Sequence, residues 1–357
     1  MICLEERDEA SQLLLFLAPV FALILTIIAG MVLFMLIDKA PARAITVIFF
    51  APLTDIFSIA EIIVKATPLI LIAIGLSFGF HAGIWNIGAE GQFAIGALSG
   101  GGVALALYQI DGIWVLPLMC LAGILGGMAW AAIPAFLKTR FNTNEILVSL
   151  MLSYVAILLL GAMVHGPLKD PDGMNFPETR LFYDSATLPI LIEGTRAHIG
   201  FLFALATIII SWLVLKRHIF GYHIRVMGQS ARAARFGGFS EKSAIWGCMM
   251  ISGGLAGLAG LFEAAGPVGQ LVPALPAGYG FTAIIVAFLG RLNPLGILLS
   301  GFILALTYIG GETAQIEMHL PSAITGVFQG MLLFFLLGID VLVKYRFRVI
   351  QNLNKNF

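Results

Sequence analysis

The sequence predicts an all-α polytopic membrane protein with about ten spanning helices. Three observations carry that expectation. Only 11% of the 357 residues are charged and 59% are hydrophobic, whereas a soluble domain carries about 25% charged residues. The apolar residues fall in repeated runs of roughly 20, the length a helix needs to cross the hydrocarbon core. The basic residues gather in alternate connections, as they do where Lys and Arg hold loops on the cytoplasmic side. A transmembrane β-barrel would show short segments of alternating polarity instead.

In chain order, charge-poor runs place helices near 13–37, 61–80, 88–108, 113–137, 145–164, 198–215, 242–262, 277–290, 294–311 and 321–339. The start, MICLEERDEAS, is acidic, and 13–37 is too long for a signal-peptide core, so it reads as the first spanning helix. Segment 277–290 is short for a span, and Pro273, Pro276, Gly278 and Gly280 mark it as half of a broken helix. The three cysteines, Cys3, Cys120 and Cys248, are scattered and read as small packing residues. Glycine pairs four apart, Gly96 and Gly100, Gly123 and Gly127, Gly253 and Gly257, suit close helix crossings in lipid.

Loop charge sets the orientation. Segment 216–242 carries Lys216, Arg217, Arg225, Arg232, Arg235 and Lys242 against the single acid Glu241. The connection at Lys138 and Arg140 is basic, as is the tail with Lys344, Arg346, Arg348 and Lys355. Residues 166–197 lean acidic through Asp170, Asp172, Glu178, Asp184 and Glu193. Both termini are then cytoplasmic and 166–197 is extracytoplasmic; only the acidic N-terminus runs against the rule. Residues 1–357 read as a single transmembrane domain with halves at 13–164 and 198–339. Five plus five helices give the halves opposite topology, the layout of an inverted repeat.

The most informative polar stretch is GFHAGIWNIGAEGQ, residues 79–92, between two apolar runs. Asn86, Glu90 and Gln92 are the candidate residues there. A carboxylate at membrane depth costs roughly 2.5–3.5 kcal/mol on the insertion scale, which makes it a functional candidate. The structural reading is equally concrete: Glu90 in a first helical turn complements the helix dipole, with Asn86 as N-cap. Asn144 and Glu145 read as a helix start in the same way. Glu263 closes a helix on the expected outer side and opposes its dipole, so it needs a partner or water and is a candidate for the external mouth. In the basic segment, residues 231–235 favour a short helix that Gly237 and Gly238 end. Attraction to anionic lipid explains the charge of that segment but not the framed helix.

Several chemistries have no residues to carry them. No lysine follows a glycine, so there is no phosphate-binding P-loop. HExxH and paired cysteines at metal-ligand spacing are absent. The chain reads as a non-enzyme with no metal or cofactor of its own, and any ATP used must be bound by another chain.

NIGAEGQ (86–92), TNEILVSLMLSYVA (143–156), GYHIRVMGQSARAARFGG (221–238), GLAGLFE (257–263) and GYGFTAIIVAFLGRLNPLG (278–296) occur in this order. Together they resemble the membrane permease subunits of ABC importers for nucleosides and simple sugars, relatives of the ribose and branched-chain amino acid permeases. Gln229, Ser153 and Trp85 stand where that family commonly has Asn, Asn and Phe, and Gly238–Phe239 replaces a more typical Gly–Ile. The resemblance implies a permease in a bacterial inner membrane that pairs with itself or a paralogue. It also implies two cytoplasmic ATPase subunits and an extracytoplasmic solute-binding protein. It makes 216–242 a loop coupled to the ATPase through Gly221, Arg225, Gly228, Arg232, Ala233, Ala234 and Gly237. It puts Asn86, Glu90 and Gln92 on the translocation path of a small polar solute, nucleoside first and simple sugar second. The residues alone equally suit a secondary transporter driven by an ion gradient, with Glu90 or Glu263 as the protonation site.

Overall fold

The computed structural model describes residues 2–6 and 12–349. Among them are thirteen α-helices: α1 (Gln12–Leu36), α2 (Pro41–Phe49), α3 (Ile56–His81), α4 (Ala89–Ala106), α5 (Val115–Phe141), α6 (Glu145–His165), α7 (Gly200–Arg217), α8 (Ile219–Gln229), α9 (Ala231–Phe236), α10 (Glu241–Glu263), α11 (Tyr279–Leu289), α12 (Pro294–Met318) and α13 (Ala323–Lys344). The ten expected segments all coincide with helices. The three additions, α2, α8 and α9, are short and lie where charged or polar residues interrupt the apolar runs. Seven helical segments are long and apolar enough to cross a membrane, from α1, α3, α5, α6, α7, α10 and α12. Two short strands, β1 (Ile2–Glu6) and β2 (Tyr345–Val349), pair antiparallel with Ile2 opposite Val349.

The chain forms two compact units, one of residues 1–52 and 307–357, the other of 53–306. In the first, α1 and α13 lie antiparallel above the strand pair. Gly30 admits the Phe328 ring, which meets Phe34 at 5.6 Å between centroids. Ala44, Val47 and Ile48 of α2 complete a core with Ala314, Met318, Leu320 and Ile324. Lys39 Nζ caps the end of α12 by donating to the Met318 carbonyl at 2.9 Å.

The second unit is built around α3 and α10. Asp55 starts α3 by accepting from the Ser58 N–H at 3.2 Å. Its residues Ala66 to Gly79 are buried without interruption. By contrast, α5, α6 and α7 turn most of their apolar surface outward, as lipid-facing helices do. Asn144 caps α6 as expected, with its Oδ1 accepting from Ile146 and Leu147 N–H at 2.9 and 3.3 Å. Glu145 then pairs with Lys138 at 2.9 Å.

Glycine decides how closely α10 meets α4 and α5. A Cβ at Gly96 would lie 2.1 Å from Gly257 Cα, and one at Gly127 2.1 Å from the Gly253 carbonyl oxygen. At Gly257 it would lie 2.2 Å from the Gly123 oxygen, and at Gly260 2.0 Å from that of Phe93. Two of the three glycine pairs read from the sequence and one member of the third thus meet at one crossing. Hydrocarbon gives helices no hydrophobic reason to associate, so backbone proximity carries the packing.

The segment between α6 and α7 is fastened to the end of α10. Thr179 N–H donates to the Leu271 carbonyl at 3.1 Å and receives Leu271 N–H on its Oγ1 at 2.9 Å. Phe182 N–H reaches the Gly269 carbonyl at 2.8 Å, and Leu188 N–H that of Ala265 at 2.9 Å. At the opposite turn, between α11 and α12, Arg291 and Leu292 both have φ of 55°. Asn293 caps the next helix by accepting from Leu295 N–H at 3.1 Å.

Gly257→Leu is expected to remove most folded protein from the membrane, since overpacking costs about 1–3 kcal/mol even where backbones are not already touching. Gly161→Leu, with nothing within 4 Å of its added carbon, is expected to accumulate normally. Immunoblots of membrane fractions and thermal stability in detergent compare the two.

Candidate functional site

The polar stretch 79–92 becomes a junction of five helices, α3, α4, α6, α10 and α11. After α3 the chain reverses at Gly83, where φ is +72°, and Ile84 N–H returns to the Gly79 carbonyl at 2.9 Å. Residues 84–87 are irregular, and α4 begins only at Ala89. Irregular backbone at membrane depth needs protein or water around it. Here α6 supplies two hydroxyls: Ile87 N–H donates to Ser149 Oγ at 3.2 Å and Gly91 N–H to Ser153 Oγ at 3.3 Å.

Asn86 and Gln92 form a reciprocal amide pair. Asn86 Nδ2 donates to Gln92 Oε1 at 2.8 Å, and Gln92 Nε2 donates back to Asn86 Oδ1 at 3.1 Å. Asn86 Nδ2 also reaches Ser252 Oγ on α10 at 2.9 Å. Asn86 is therefore not the N-cap that its position in the sequence predicts. Gly88 holds that place, and Asn86 Oδ1 accepts its N–H at 3.0 Å. The amide thus ties the first turn of α4, through Gln92, to α10, through Ser252.

Glu90 does sit in the first turn of α4, but its carboxylate serves another helix. Oε1 accepts from Gly278 N–H at 2.7 Å and Oε2 from Gly280 N–H at 2.5 Å. These are the leading N–H groups of α11, which have no partners within their own helix. The positive ends of α4 and α11 thus converge on one carboxylate, the arrangement that favours an anion at a helix N-terminus. Both glycines are required: Gly278 has φ +83°, and a Cβ at Gly280 would lie 2.2 Å from Glu90 N. Asn86, Glu90 and Gln92 are each no more than 2% exposed.

Tyr279, between those glycines, is held from the other side. Its hydroxyl donates to Glu263 Oε1 at 2.9 Å and accepts from Lys65 Nζ at 2.7 Å, with Lys65 and Glu263 3.6 Å apart. Lys65 is the partner that an acid at the end of α10 requires. One turn away on α3, Glu61 takes Arg196 in a two-point ion pair at 2.8 and 2.6 Å. A cleft of about 390 Å³ with Tyr108, Lys169 and Arg180 in its wall opens beside the α6–α7 segment.

The basic segment 216–242 runs from the end of α7 through α8 and α9 into the start of α10. Gly221 is buried, and a Cβ there would lie 2.2 Å from the Val214 carbonyl oxygen. Gly228 meets the end of α3, where a Cβ would lie 2.0 Å from the His81 carbonyl oxygen. Ser230 starts α9 by accepting from Ala233 N–H at 3.3 Å, and Gly237 ends it with Gly238 at φ +78°. Ala234 is turned inward, while Arg225, Arg232, Ala233 and Gly237 are exposed. Arg235 pairs with Glu241. Phe236, at the end of α9, is 94% exposed.

Several of these residues carry little signal in the sequence. Ser149 and Ser153, four apart on an apolar helix, are the available sign of a polar face; Ser252 and Lys65 have none, because Asn86 and Tyr279 lie 166 and 214 residues away from them. Among the described residues no group of three or more His, Cys, Asp or Glu side chains is placed to hold a metal ion.

Relatives extend over nearly the whole chain. A glucose ABC transporter permease protein of Haloferax volcanii, TsgB13, is 33% identical over 96% of this chain and 92% of its own length. A guanosine ABC transporter permease protein of Bacillus subtilis, NupP, is 30% identical over 89% and 92%. Among solved structures, PsaBC from Streptococcus pneumoniae in complex with Fab covers 80% of this chain and 91% of its own, at 13% identity and a TM-score of 0.47. The family model described as branched-chain amino acid transport system / permease component matches residues 58–337, and the chain belongs to that family.

Proposed function

We propose that the chain is the membrane-spanning permease subunit of an ABC importer for a nucleoside or simple sugar. The observation that carries this reading is the exposed helix α9, framed by Ser230 and Gly237 and joined through α8 to the end of α3. It presents Arg232 and Phe236 to a partner, and under this reading that partner binds the ATP. The names of the relatives, glucose and guanosine ABC permeases, support the same reading and favour it over ion-gradient drive.

Under this reading the whole chain is one permease domain in the cell membrane, crossing it ten times as two inverted sets of five. The pairing of β1 with β2 is consistent with both termini on the cytoplasmic side. Two ATPase subunits bind ATP and hold the α8–α9 segments. A second permease, identical or paralogous, completes the path. A solute-binding protein docks on 166–197, beside Lys169 and Arg180, and Glu263 lies behind the outer mouth. The path runs against the junction of Asn86, Glu90 and Gln92, whose hydrogen bonds keep α4, α10 and α11 in register. Alternating access follows when ATP closes the ATPase pair and moves α9.

Gentle affinity purification from native membrane is expected to recover a stoichiometric P-loop ATPase; a chain that emerges alone, and transports on an ion gradient without ATP, overturns the importer reading. In the complex, Arg232→Glu is expected to cut uptake about tenfold, the effect of about 1.4 kcal/mol, while hydrolysis and membrane abundance persist. Normal uptake in that variant removes α9 from the coupling role. Glu90→Gln leaves one α11 N–H facing a donor, a loss of about 1–3 kcal/mol. It is expected to lower uptake severalfold more than abundance, read by paired uptake and immunoblot.

A further inference from the structure

We infer that Phe80, Trp85 and Phe288 form the inner gate of the solute path, and that α8 works this gate through the contact of Gly228 with the His81 carbonyl. The inference rests on the importer reading above. The three rings come from three elements that end at one place: the last turn of α3, the irregular strand of chain leading to α4, and the end of α11. Phe80 lies 5.0 Å from Trp85 and 4.9 Å from Phe288 between centroids, and Trp85 lies 5.6 Å from Phe288.

The exposure pattern gives the direction of the gate. Ile84 and Asn86 are buried, while Trp85 between them is 39% exposed and Gly83 is exposed as well. Irregular backbone does not face hydrocarbon, because its peptide groups need protein or water. The outward side of Trp85 is therefore turned to the second permease or to the aqueous route beside it, not to lipid. Large aromatic rings are suited to close such a route: they cover much area with few rotatable bonds and slide past one another in offset or tilted contact.

The mechanics follow from what holds each end of the short span that carries Trp85. On one side, Asn86 is fixed to Gln92 and to Ser252 of α10. On the other, His81 abuts α8: a Cβ on Gly228 would sit 2.0 Å from the His81 oxygen, and Phe220 stacks on Phe78 at 6.4 Å. Only Ser230 separates α8 from the exposed α9. A push on α9 thus reaches residues 81–84 through packed backbone, and Trp85 lies between that moving end and a fixed one. Packed contacts of this kind switch between discrete arrangements rather than deform smoothly.

The test uses the complete transporter in proteoliposomes loaded with [3H]uridine or [14C]glucose, one probe from each proposed solute class. Without ATP, Trp85→Ala with Phe288→Ala is expected to raise efflux about tenfold over the unaltered complex, equivalent to about 1.4 kcal/mol less barrier. Trp85→Phe, which keeps a ring, is expected to stay sealed. A double variant that stays sealed while still taking up solute with ATP overturns the gate. Raised efflux together with an unaltered complex that ignores ATP leaves the gate standing and sinks the importer reading instead. Phe220→Ala keeps all three gate rings but loosens α8 from α3; it is expected to hydrolyse ATP with severalfold lower uptake and no added leak. Full uptake in that variant removes α8 from the mechanism. If the double variant does not insert, Trp85→Cys in a chain with its three cysteines replaced by Ser decides. A labelling rate with an impermeant maleimide that differs severalfold between ATP-free and vanadate-trapped complexes supports the gate, and equal rates overturn it.

Discussion

The carboxylate of Glu90 sets the geometry of the larger unit. It lies in the first turn of α4 yet accepts the leading N–H groups of α11. A helix of eleven residues that starts inside a bundle has donors that neither water nor its own turns can satisfy. Supplying a negative charge at that point answers both the hydrogen-bond deficit and the positive helix end. It also fixes where α11 starts, and hence where Tyr279 and Phe288 stand on either end of it. The amide pair of Asn86 and Gln92 and the hydroxyls of Ser149, Ser153 and Ser252 then close the remaining polar groups of the break.

Such a junction requires the surrounding helices to approach one another closely, and glycine permits this. In water, large apolar side chains bring helices together; in lipid they do not, because the solvent is as apolar as the side chains. The crossing of α4, α5 and α10 uses backbone against backbone at Gly96, Gly123, Gly127, Gly253 and Gly257. That closeness puts Ser252, one residue before Gly253, within reach of Asn86. The polar junction and the glycine crossing are thus two aspects of the same packing: one needs short distances and the other provides them.

Most of the helices were legible in the sequence because hydropathy in a membrane protein is a local signal. The segment at 277–290 was readable as a half-helix from its length and its flanking Gly and Pro, and α9 from its alanines and closing glycines. The cap at Asn144 follows from adjacent residues. What the sequence did not disclose are partnerships across long separations. Asn86 looked like a cap because its local context is that of a cap, whereas its amide is taken by Gln92 and Ser252. Glu90 was placed correctly in its own helix and lacked only its second client, 188 residues away. Glu263 signalled the need for a partner without naming Lys65 or Tyr279. Phe236 has no signature in the sequence, since a single apolar residue in a basic segment carries no period.

The charges on α3 bear on how the protein is made. Glu61 and Lys65 find their partners at Arg196 and at Glu263 and Tyr279, 135 to 214 residues later in the chain. At about 5–20 residues per second of synthesis, α3 enters the bilayer some 10–40 s before the last of those groups exists. Across that interval the two charges stand four apart on one helix face with the acid N-terminal to the base, the spacing and order in which they neutralise each other best. The same pair that divides between two networks in the folded chain is thus spaced to serve as its own counter-ion during biosynthesis.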